Sequence, residues 1–547
     1  MQKLVLKIHP SDNVLVALQD LHAGQSVSFE EEVYQLIESI PAKHKFFMAD
    51  MKAGQEVYMY GVLVGKLQSD VAKTARMTTD NTRHAAEPFA YRPFNYKWTP
   101  PDVNEFRGRT FNGYHRSDGR VGTANYWLFI PTVFCENRNL DVIREALHNE
   151  LGYAITDKYK TRTRQLLELY RQGADLATAD LQVRESVVST NRVFPNVDGI
   201  KFLNHQGGCG GTRQDAGVLG KLLAAYADHP NVAGVTILSL GCQNLQTQQL
   251  LDDIKERNPA FDKPLLVFEQ QLSQSEESLI TEAIRQTFIG LTGANKHTRQ
   301  PASLDKLVVG VKCGGSDGFS GISANPAVGY CSDLLVALGA KVLLAEFPEL
   351  CGAEQELIDR TRSEKAARKF IELMTSYNAA AHSVGSGFHM NPSPGNIRDG
   401  LITDAIKSTG AARKGGTSPV EDVLDYTEPA TKAGLNLVCT PGNDVEATTG
   451  KAASGATLIL FTTGLGTPTG NPVCPTIKVA TNTALAKRMA DIIDIDTGPV
   501  IAGEKTIEEM GREILEYCIR AASGDVLPKA VQLNQDDFIP WKRGVSL

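Results

Sequence analysis

The sequence lacks the features that would place the protein in a membrane or on nucleic acid. No run approaches the roughly 20 consecutive apolar residues of a bilayer-spanning helix. The first residues, MQKLVLKIHPSDN, lack the apolar core and the small-residue cleavage site of a secretory signal. The net charge of −7 at pH 7 offers no general attraction to nucleic acid or to an anionic membrane. We therefore expect a cytoplasmic protein with a small-molecule ligand and no nucleic-acid or membrane partner.

Cysteine is scarce, and its spacing argues against two common kinds of site. The chain of 547 residues has nine cysteines and no CxxC pair, so neither a zinc ribbon nor a thioredoxin motif is expected. An odd number of cysteines without an export signal favours reduced thiols in a cytosol. Apolar residues make up 42% of the chain and charged residues 22%, as in an ordinary globular protein.

The chain divides into a small β-rich unit and a larger part in which strands and helices alternate. Residues 1–84 combine alternating runs with Gly-centred turns, which is typical of half-buried strands. Residues 85–107 hold four prolines and six aromatics without a regular period, which indicates an extended linker. Beyond it, apolar runs such as VAGVTILSL and KVLLAEF alternate with helical patterns, as in parallel sheets buried on both faces. We predict an α/β fold: the β unit, then a large α/β core with mostly parallel sheets in two subdomains, 108–300 and 301–547. A polar, basic insertion at 155–190 predicts a surface helix.

Four predicted strands run directly into Gly-rich polar turns. The turns begin at His205 (HQGGCGG), Gly241 (GCQN), Cys313 (CGGSD) and Gly464 (GLGTPTG). Ligands of open α/β sheets bind at the carboxyl ends of strands, where glycine lets the backbone approach closely. We therefore predict a pocket built from these strand ends, although each turn alone could be only a connection. The last turn has GxGxxxG spacing, which argues against a dinucleotide fingerprint.

Three of these turns contain a cysteine: Cys209, Cys242 and Cys313. Converging thiolates could hold an iron–sulfur cluster or a soft metal. They could equally be small buried side chains that serve only packing. The sequence leaves both interpretations open.

Other ionisable residues have a functional and a structural interpretation. His9 in HPSDN and His84 in NTRH stand beside carboxylate or amide groups and could bind a divalent metal, or they could be purely structural. Glu346, Glu349 and Glu354 surround a strand-to-helix junction. There they could ligate a hard cation or stabilise a helix N-terminus.

Residues 391–418 form a polar, turn-rich stretch. Its first residues, NPSPGN, offer amides and hydroxyls on a backbone stiffened by proline. Four basic residues add positive charge: Arg398, Lys407, Arg413 and Lys414. For each of these basic residues we expect a solvated position on a surface loop.

Longer motifs occur in a consistent order along the chain. They are GYHRSDGRVGTANYWLFIPTVFCENRN, HQGGCGG, SLGCQN, KCGGSDGFSGISANP, EFPELCGAE, NPSPGN, KGGTSPVEDVLDYTEP, TPGNDVEATTG, FTTGLGTPTG and KVATNT. On these motifs the chain resembles the altronate and galactarate dehydratases of hexuronate and aldarate breakdown over nearly its whole length. LNLVCTPGND and WKRGVSL resemble the altronate enzymes more than the galactarate enzymes.

The β unit is similar to the N-terminal β-clip (SAF-like) module of that family. The family pattern IHxxDNV falls on residues 8–14. Some members carry an HxHN motif after this module, and the aligned residues here are Thr78, Thr79, Asp80 and Asn81, so both histidines are missing. A metal site at that motif is therefore not carried over to this chain, unless Asp80 or His84 substitutes.

The resemblance implies metal-dependent dehydration of a sugar acid, in which D-altronate loses water to give 2-dehydro-3-deoxy-D-gluconate. A base would remove the proton α to the carboxylate, and the β-hydroxyl would leave with acid assistance. The dianionic intermediate needs strong electrostatic support, which a divalent metal supplies as a Lewis acid. Family members are iron-dependent, so Fe²⁺ is implied, with Mn²⁺ suited to the same ligands and an iron–sulfur cluster as the alternative.

The residues expected to carry this chemistry fall into four groups. The candidate catalytic residues are His115 and His205, as general acid and base, and Asp317. The expected substrate ligands are Arg120, as a bidentate clamp on the carboxylate, with Ser316, Ser320, Asn325, Asn391 and Asn396. The expected metal ligands are His9, Asp12 and His84. The alternative metal or cluster ligands are Cys209, Cys242 and Cys313.

Other functions stay open at this point. The same chemistry could act on galactarate or another aldarate, or release a different β-leaving group such as sulfite. A nucleotide-dependent oxidoreductase and a non-catalytic binding protein belong to other classes, and the missing fingerprint counts against the first. A homo-oligomer is compatible with the sequence.

Overall fold

The computed structural model describes residues 3–154, 158–181 and 192–543. The N-terminal unit contains the strands β1 (Val5–Leu6), β2 (Val14–Ala17), β3 (Ser26–Phe29), β4 (Glu32–Gln35), β5 (Lys45–Phe47), β6 (Glu56–Met59), β7 (Val62–Leu67) and β8 (Thr82–His84). They form three small antiparallel sheets, β1-β2-β5, β3-β4 and β6-β7-β8. This is the β-rich unit that the alternating pattern predicts.

The linker at 85–107 runs along the C-terminal part of the core without a helix or a strand. The Tyr96 hydroxyl donates to the carbonyl of Thr417 at 2.8 Å, and the Trp98 indole N–H donates to the hydroxyl of the same residue at 3.1 Å. Its aromatic side chains therefore attach this segment to the core.

The middle of the chain forms a parallel sheet flanked by helices and a second, small antiparallel sheet. The strands of this part are β9 (Thr110–His115), β10 (Val121–Gly122), β11 (Tyr126–Pro131), β12 (Gly199–Phe202), β13 (Val232–Ser239), β14 (Leu265–Glu269) and β15 (Gln300–Ser303). Its helices are α1 (Asn137–Leu151), α2 (Lys158–Arg171), α3 (Arg213–Ala227), α4 (Thr247–Arg257) and α5 (Glu276–Ala294). The four-stranded parallel sheet has the order β12-β11-β13-β14, and β10-β9-β15 form a small antiparallel sheet. Helix α2 occupies part of the basic insertion, and residues 155–157 and 182–190 of that insertion lie outside the described residues.

The C-terminal part forms a larger parallel sheet. Its strands are β16 (Val308–Cys313), β17 (Lys341–Ala345), β18 (Val420–Leu424), β19 (Gly434–Val438), β20 (Leu458–Thr463), β21 (Thr476–Ala480) and β22 (Ile495–Asp496). Its helices are α6 (Ala324–Ala337), α7 (Glu354–Asp359), α8 (Glu364–His382), α9 (Pro394–Arg398), α10 (Asp404–Ala412), α11 (Asp444–Ala453), α12 (Thr483–Arg488), α13 (Gly498–Ala502), α14 (Ile507–Ser523) and α15 (Lys529–Gln532). All seven strands run parallel in the order β18-β19-β17-β16-β20-β21-β22.

Burial explains why the apolar runs become parallel strands. Every residue of β16, VVGVKC, and of β20, LILFTT, is buried, because helices cover both faces of the sheet. The predicted fold class is confirmed: a small β-rich unit followed by an α/β core with two parallel sheets. None of the helices in the described ranges is long and apolar enough to cross a bilayer.

Candidate active site

The carboxyl edge of the seven-stranded sheet has the geometry of a ligand site. Strands β16 and β20 are neighbours, and the chain continues from β16 to β17 on one side and from β20 to β21 on the other. In open parallel sheets, such a change of direction leaves a crevice beyond the strand ends. Cys313 ends β16 and Thr463 ends β20, so the residues that follow them lie at the edge where such a crevice is expected.

Buried lysines and carboxylates meet at this edge. Lys312, the penultimate residue of strand β16, is fully buried. It pairs with Glu346 and, at 3.0 Å, with Asp444. The Lys414 ammonium lies 3.3 Å from the other carboxylate oxygen of Glu346 and 2.8 Å from the Cys313 sulfur. Two ammonium groups and a thiol thus surround one buried carboxylate.

Lys451, on helix α11, is a further buried amine of this edge. Its Nζ lies 3.8 Å from a carboxylate oxygen of Glu346 and has no hydrogen-bond partner among the described residues. Burial, together with the positive charges of Lys312 and Lys414, lowers the pKa of Lys451 well below its ordinary value. A lowered pKa favours the neutral form of the amine, which is the form that accepts a proton.

Glu349 connects the thiol to a fourth lysine. Its carboxylate lies 3.1 Å from the Lys407 ammonium and 3.5 Å from the Cys313 sulfur. Burial would raise the pKa of Glu349, but pairing with Lys407 and the charges of neighbouring lysines outweigh it and lower the pKa to about 2. Lys407 also donates to the Asn391 amide oxygen at 2.9 Å, and the Asn391 amide nitrogen has no partner among the described residues. We call the set Lys312, Lys407, Lys414, Lys451, Cys313, Glu346 and Glu349 the lysine cluster.

Asp404 lies on α10, one helical turn before Lys407, and the pKa of its carboxyl group is raised, in contrast to the lowered pKa of Lys451. Burial raises the pKa of Asp404 to about 8, against the opposing effects of a hydrogen bond from Cys351, of the Lys407 charge and of a hydrogen bond from Ser408. A carboxyl group that is protonated at neutral pH can act as a proton donor.

The lysine cluster includes three donors with the spacing of metal ligands. Ligand atoms of Cys313, Glu346 and Glu349 lie within 4.8 Å of one another. However, Lys312 and Lys414 pair with the Glu346 carboxylate, and Lys407 pairs with Glu349. The ammonium groups of these three lysines oppose a further cation, so this donor set fits an anion better than a divalent metal.

The N-terminal unit reaches this edge of the core through residues 43–45. The Lys43 ammonium lies 3.0 Å from the fully buried carboxylate of Asp317 and 3.3 Å from Asp399. Lys45 donates to the carbonyl of Gly400 at 2.7 Å, and its burial lowers the pKa to about 7. The β unit is therefore joined to the core by buried polar contacts.

Five of the predicted substrate and catalytic residues lie near this edge, but their polar groups bind other groups of the protein. Asp317 accepts hydrogen bonds from the Ser320 hydroxyl and from Thr481. The Asn325 side chain lies between Gly410 and Thr462, and Asn396 donates to the carbonyl of Ser316 at 2.9 Å. These contacts shape the turn after β16, and the predicted role of its side chains in binding substrate stays a prediction.

Two predicted residues lie at the other end of the four-stranded sheet. Arg120 bonds to Asp118 at 2.8 Å and to the buried Asp228 at 2.7 Å, and Asp228 precedes strand β13. Burial opposes the charge of Arg120, but these ion pairs outweigh it and raise its pKa. His115 is exposed and contacts the carbonyl of Pro301. Strand β11, six residues long, spans roughly 20 Å, so neither residue shares a site with the carboxyl edge of that sheet.

His205 lies at that carboxyl edge, with both ring nitrogens engaged by backbone. Nε2 lies 2.8 Å from the carbonyl of Pro131, and Nδ1 accepts from the N–H of Gly207 at 3.0 Å. Burial lowers the pKa of His205 to about 4. While this arrangement holds, the ring has no nitrogen free for a substrate.

The predicted N-terminal metal ligands are not brought together. Asp12 accepts from the N–H groups of His9 and Gly61, which is the geometry of a turn, and the His9 ring contacts the Ser11 hydroxyl. His84 lies at the end of β8 and accepts from the N–H of Ala405 at 3.3 Å. These residues form no group with metal-ligand spacing in the described part of the chain.

The three cysteines of the alternative site do not converge either. Cys313 is buried in the lysine cluster, whereas Cys209 and Cys242 are exposed at the four-stranded sheet. Strand β16 belongs to a different sheet from β12 and β13. The periodicity of the sequence cannot distinguish two sheets that both end in Gly-rich turns.

Sequence reasoning missed most of the lysine cluster. The expectation of solvated surface positions is wrong for Lys407 and Lys414, which are 8% and 1% exposed because helix α10 and the turn after it pack into the sheet edge. Lys312 and Lys451 carried a usable signal, since each interrupts an apolar or small-residue run, VVGVKC and TTGKAA. Buried lysine is rare without a partner, so such a position indicates a paired or functional amine.

Three family models match consecutive parts of the chain. They are the altronate/galactarate dehydratase SAF domain at residues 3–85, the D-galactarate dehydratase/altronate hydrolase second domain at 113–295, and the D-galactarate/altronate dehydratase C-terminal domain at 304–546. The first matches the β unit, and the others match the parts that contain the two parallel sheets.

Full-length relatives agree with these matches. The chain is 32% identical to an altronate dehydratase of Bacillus subtilis over 551 residues, which covers all of both chains. It is also 32% identical to an altronate dehydratase of Escherichia coli, with 99% of both chains covered. Identity to the galactarate dehydratase (L-threo-forming) of Escherichia coli is 32%, with 95% of this chain and 92% of the relative covered. The protein is therefore a hydro-lyase that belongs to the altronate/galactarate dehydratase family.

Proposed function

We propose that this protein dehydrates D-altronate to 2-dehydro-3-deoxy-D-gluconate, with the lysine cluster as its active site. The observation that carries the proposal is the convergence of four buried lysines at the carboxyl edge of the seven-stranded sheet. A sugar acid brings one carboxylate, and removal of its α-proton adds a second negative charge on the same atoms. Fixed ammonium groups in a water-poor site stabilise that charge.

In the lysine cluster, the lysines and the glutamates have different roles. Lys312, Lys407 and Lys414 would bind the substrate carboxylate and the dianionic intermediate. Glu346 and Glu349 hold these ammonium groups in place, because each carboxylate pairs with at least one of them. Preorganised ion pairs need little rearrangement as the charge develops.

Two groups with opposite pKa shifts are suited to move the protons. Lys451, whose pKa is lowered by burial, would accept the α-proton as a neutral amine. Asp404, whose pKa is raised to about 8 by burial, would donate a proton to the leaving β-hydroxyl. Groups whose environments push their pKa values apart are typical of acid–base pairs in active sites.

The proposal includes the iron dependence that the family resemblance implies, and it looks for the iron ligands outside the N-terminal unit. The N-terminal donors are engaged in a turn and do not meet, and the acidic donors beside Cys313 are paired with lysines. Thiolates are good ligands for iron. The fit therefore favours exposed thiols elsewhere in the core as iron ligands.

The test is to incubate the anaerobically purified protein with D-altronate and, separately, with galactarate, and to follow 2-keto acid formation. We expect turnover of D-altronate with a higher kcat/KM than of galactarate. A preference for galactarate would reassign the substrate, since identity is 32% to relatives of both names. Absence of 2-keto acid from all aldonates and aldarates tested would overturn the proposal.

A further inference from the structure

The exposed thiols of this chain gather at one edge of the four-stranded sheet. Of the nine cysteines, Cys135, Cys209 and Cys242 are exposed, and the other six are buried or half-buried. The exposed three follow β11, β12 and β13, which are adjacent in the order β12-β11-β13. Because these strands are parallel, all three thiols lie at the same, carboxyl edge. Free cysteine is among the residue types most often buried, so three exposed thiols at one edge need a reason.

The loops that carry these thiols contact one another directly. The N–H of Phe134, which precedes Cys135, donates to the carbonyl of Gly207 at 3.1 Å. The N–H of Asn244, two residues after Cys242, donates to the carbonyl of Gly208 at 2.9 Å. Each cysteine is therefore within two residues of a backbone contact to a neighbouring loop.

Gly208, which precedes Cys209, contacts both the loop after β11 and the loop after β13. Its φ of +95° lies in the left-handed region, and a Cβ there would lie 2.1 Å from the carbonyl oxygen of Thr132. Only glycine permits this approach of the loop after β12 to the loop after β11. The fold thus holds the backbone beside Cys135 and Cys209 in close contact.

The three sulfur atoms are not placed as joint ligands of one single ion. Their sulfur atoms do not form a group within 4.8 Å, the spacing at which one ion could be shared, in the part of the chain that is described. In a four-iron cluster each thiolate binds a different iron, so the ligands stand farther apart than around one ion. The Gln271 amide already donates to the Cys242 sulfur at 3.2 Å, the kind of hydrogen bond that tunes cluster thiolates.

We propose that Cys135, Cys209 and Cys242 are the ligands of an iron–sulfur cluster at the carboxyl edge of the four-stranded sheet. Three thiolates leave one iron of a four-iron cluster without a cysteine ligand, which keeps a metal position open to a small molecule. A cavity of about 370 Å³ adjoins this position, lined by Cys209, Asn244 and residues 538–542 among others. This assignment depends neither on the identity of the substrate nor on the lysine cluster, and it specifies the iron ligands that the proposed function places on exposed thiols.

The first test measures composition and spectra, without turnover. Anaerobically purified full-length protein, reconstituted with Fe²⁺ and sulfide if needed, is assayed for iron, acid-labile sulfide, visible absorption and Mössbauer parameters. We expect iron and sulfide in about equal amounts and thiolate-to-iron charge-transfer absorption. Iron without sulfide, zinc in place of iron, or no bound metal after reconstitution would overturn the proposal.

Single serine variants locate the ligands. Cys135→Ser, Cys209→Ser and Cys242→Ser are each expected to lose most of the sulfide and the visible absorption. Cys313→Ser is the matched control and is expected to keep both, because its thiol belongs to the other sheet. Unchanged circular dichroism of the exposed-site variants shows that loss of the cluster is not loss of the fold.

Alkylation of the cysteines in the wild-type protein tests the same assignment without any variant, in case a variant is unstable. In the wild-type apoprotein the three exposed thiols are expected to react with iodoacetamide, and in the reconstituted protein they are expected to be protected. Equal labelling in both forms, or loss of sulfide in Cys313→Ser alone, contradicts the assignment. Failure of altronate turnover with these signatures intact would overturn the proposed substrate and leave the cluster assignment standing.

Discussion

The ammonium of Lys414 lies 2.8 Å from the sulfur of Cys313, and both side chains are buried at the carboxyl edge of the seven-stranded sheet. The same ammonium reaches Glu346 at 3.3 Å. A buried amine that contacts both a thiol and a carboxylate is held in one place, and this fixed position is what an anionic intermediate requires.

Replacing Lys414 by methionine tests this requirement. Methionine keeps most of the volume and removes the charge. We expect kcat for dehydration to fall about 100- to 1,000-fold, the effect of removing one preorganised donor to a developing anion. Steady-state kinetics of 2-keto acid formation measure it, with Lys432→Met, on the exposed surface, as the control. A change in KM alone would mean that Lys414 only binds the carboxylate.

Lys451→Met separates stability from activity. The wild-type amine is buried without a hydrogen-bond partner among the described residues, so an apolar side chain of similar length should leave stability unchanged or raise it. We expect turnover to fall about 100- to 10,000-fold if the amine is the base. Thermal unfolding and kinetics are measured on the same preparation. A variant that is less stable yet fully active would refute the assignment.

The raised pKa of Asp404 leads us to predict that activity depends on pH. Its pKa of about 8 means that the carboxyl group is protonated, and able to donate, at lower pH, and that the proton is lost as pH rises through about 8. We therefore expect kcat/KM to decline above about pH 8. In Asp404→Asn we expect a much lower rate without that decline, because the titrating group is gone. Retention of the same alkaline limb in the variant would assign it to another residue.

The contact between Lys43 and Asp317 predicts that the N-terminal unit stabilises the core. Lys43→Met leaves the buried Asp317 carboxylate with only its hydroxyl and backbone donors. We expect a loss of roughly 1–3 kcal/mol in the free energy of unfolding, the penalty for an under-satisfied buried charge. Urea unfolding of Lys43→Met, Asp317→Asn and the double variant gives their coupling.

The exposed pair Lys52–Asp70 is the matched control for that experiment. Its ammonium–carboxylate distance is 2.8 Å, but both side chains are mostly solvated. We expect no measurable loss in Lys52→Met, because solvent screens such pairs. Equal losses in the free energy of unfolding for Lys43→Met and Lys52→Met would mean that the contact of Lys43 with the core stabilises the protein no more than an exposed ion pair does.

The amino-acid sequence by itself determined the class of fold. Apolar runs such as those of β16 and β20 can only be buried on both faces, and Gly-rich turns at their ends mark the ligand-binding edge. Cys313 and the acidic residues of FPELCGAEQ were therefore identifiable as candidates, because their place at a strand end is a local property.

Only the tertiary structure decided which candidates meet. The polar stretch around Lys407 and Lys414 predicts solvated side chains, but both are buried because helix α10 and the turn after it pack into the sheet edge. Cys135 was not singled out, since nothing local shows that β11 lies between β12 and β13. Strand order and the assignment of strands to sheets arise from long-range packing, which periodicity along the chain does not encode.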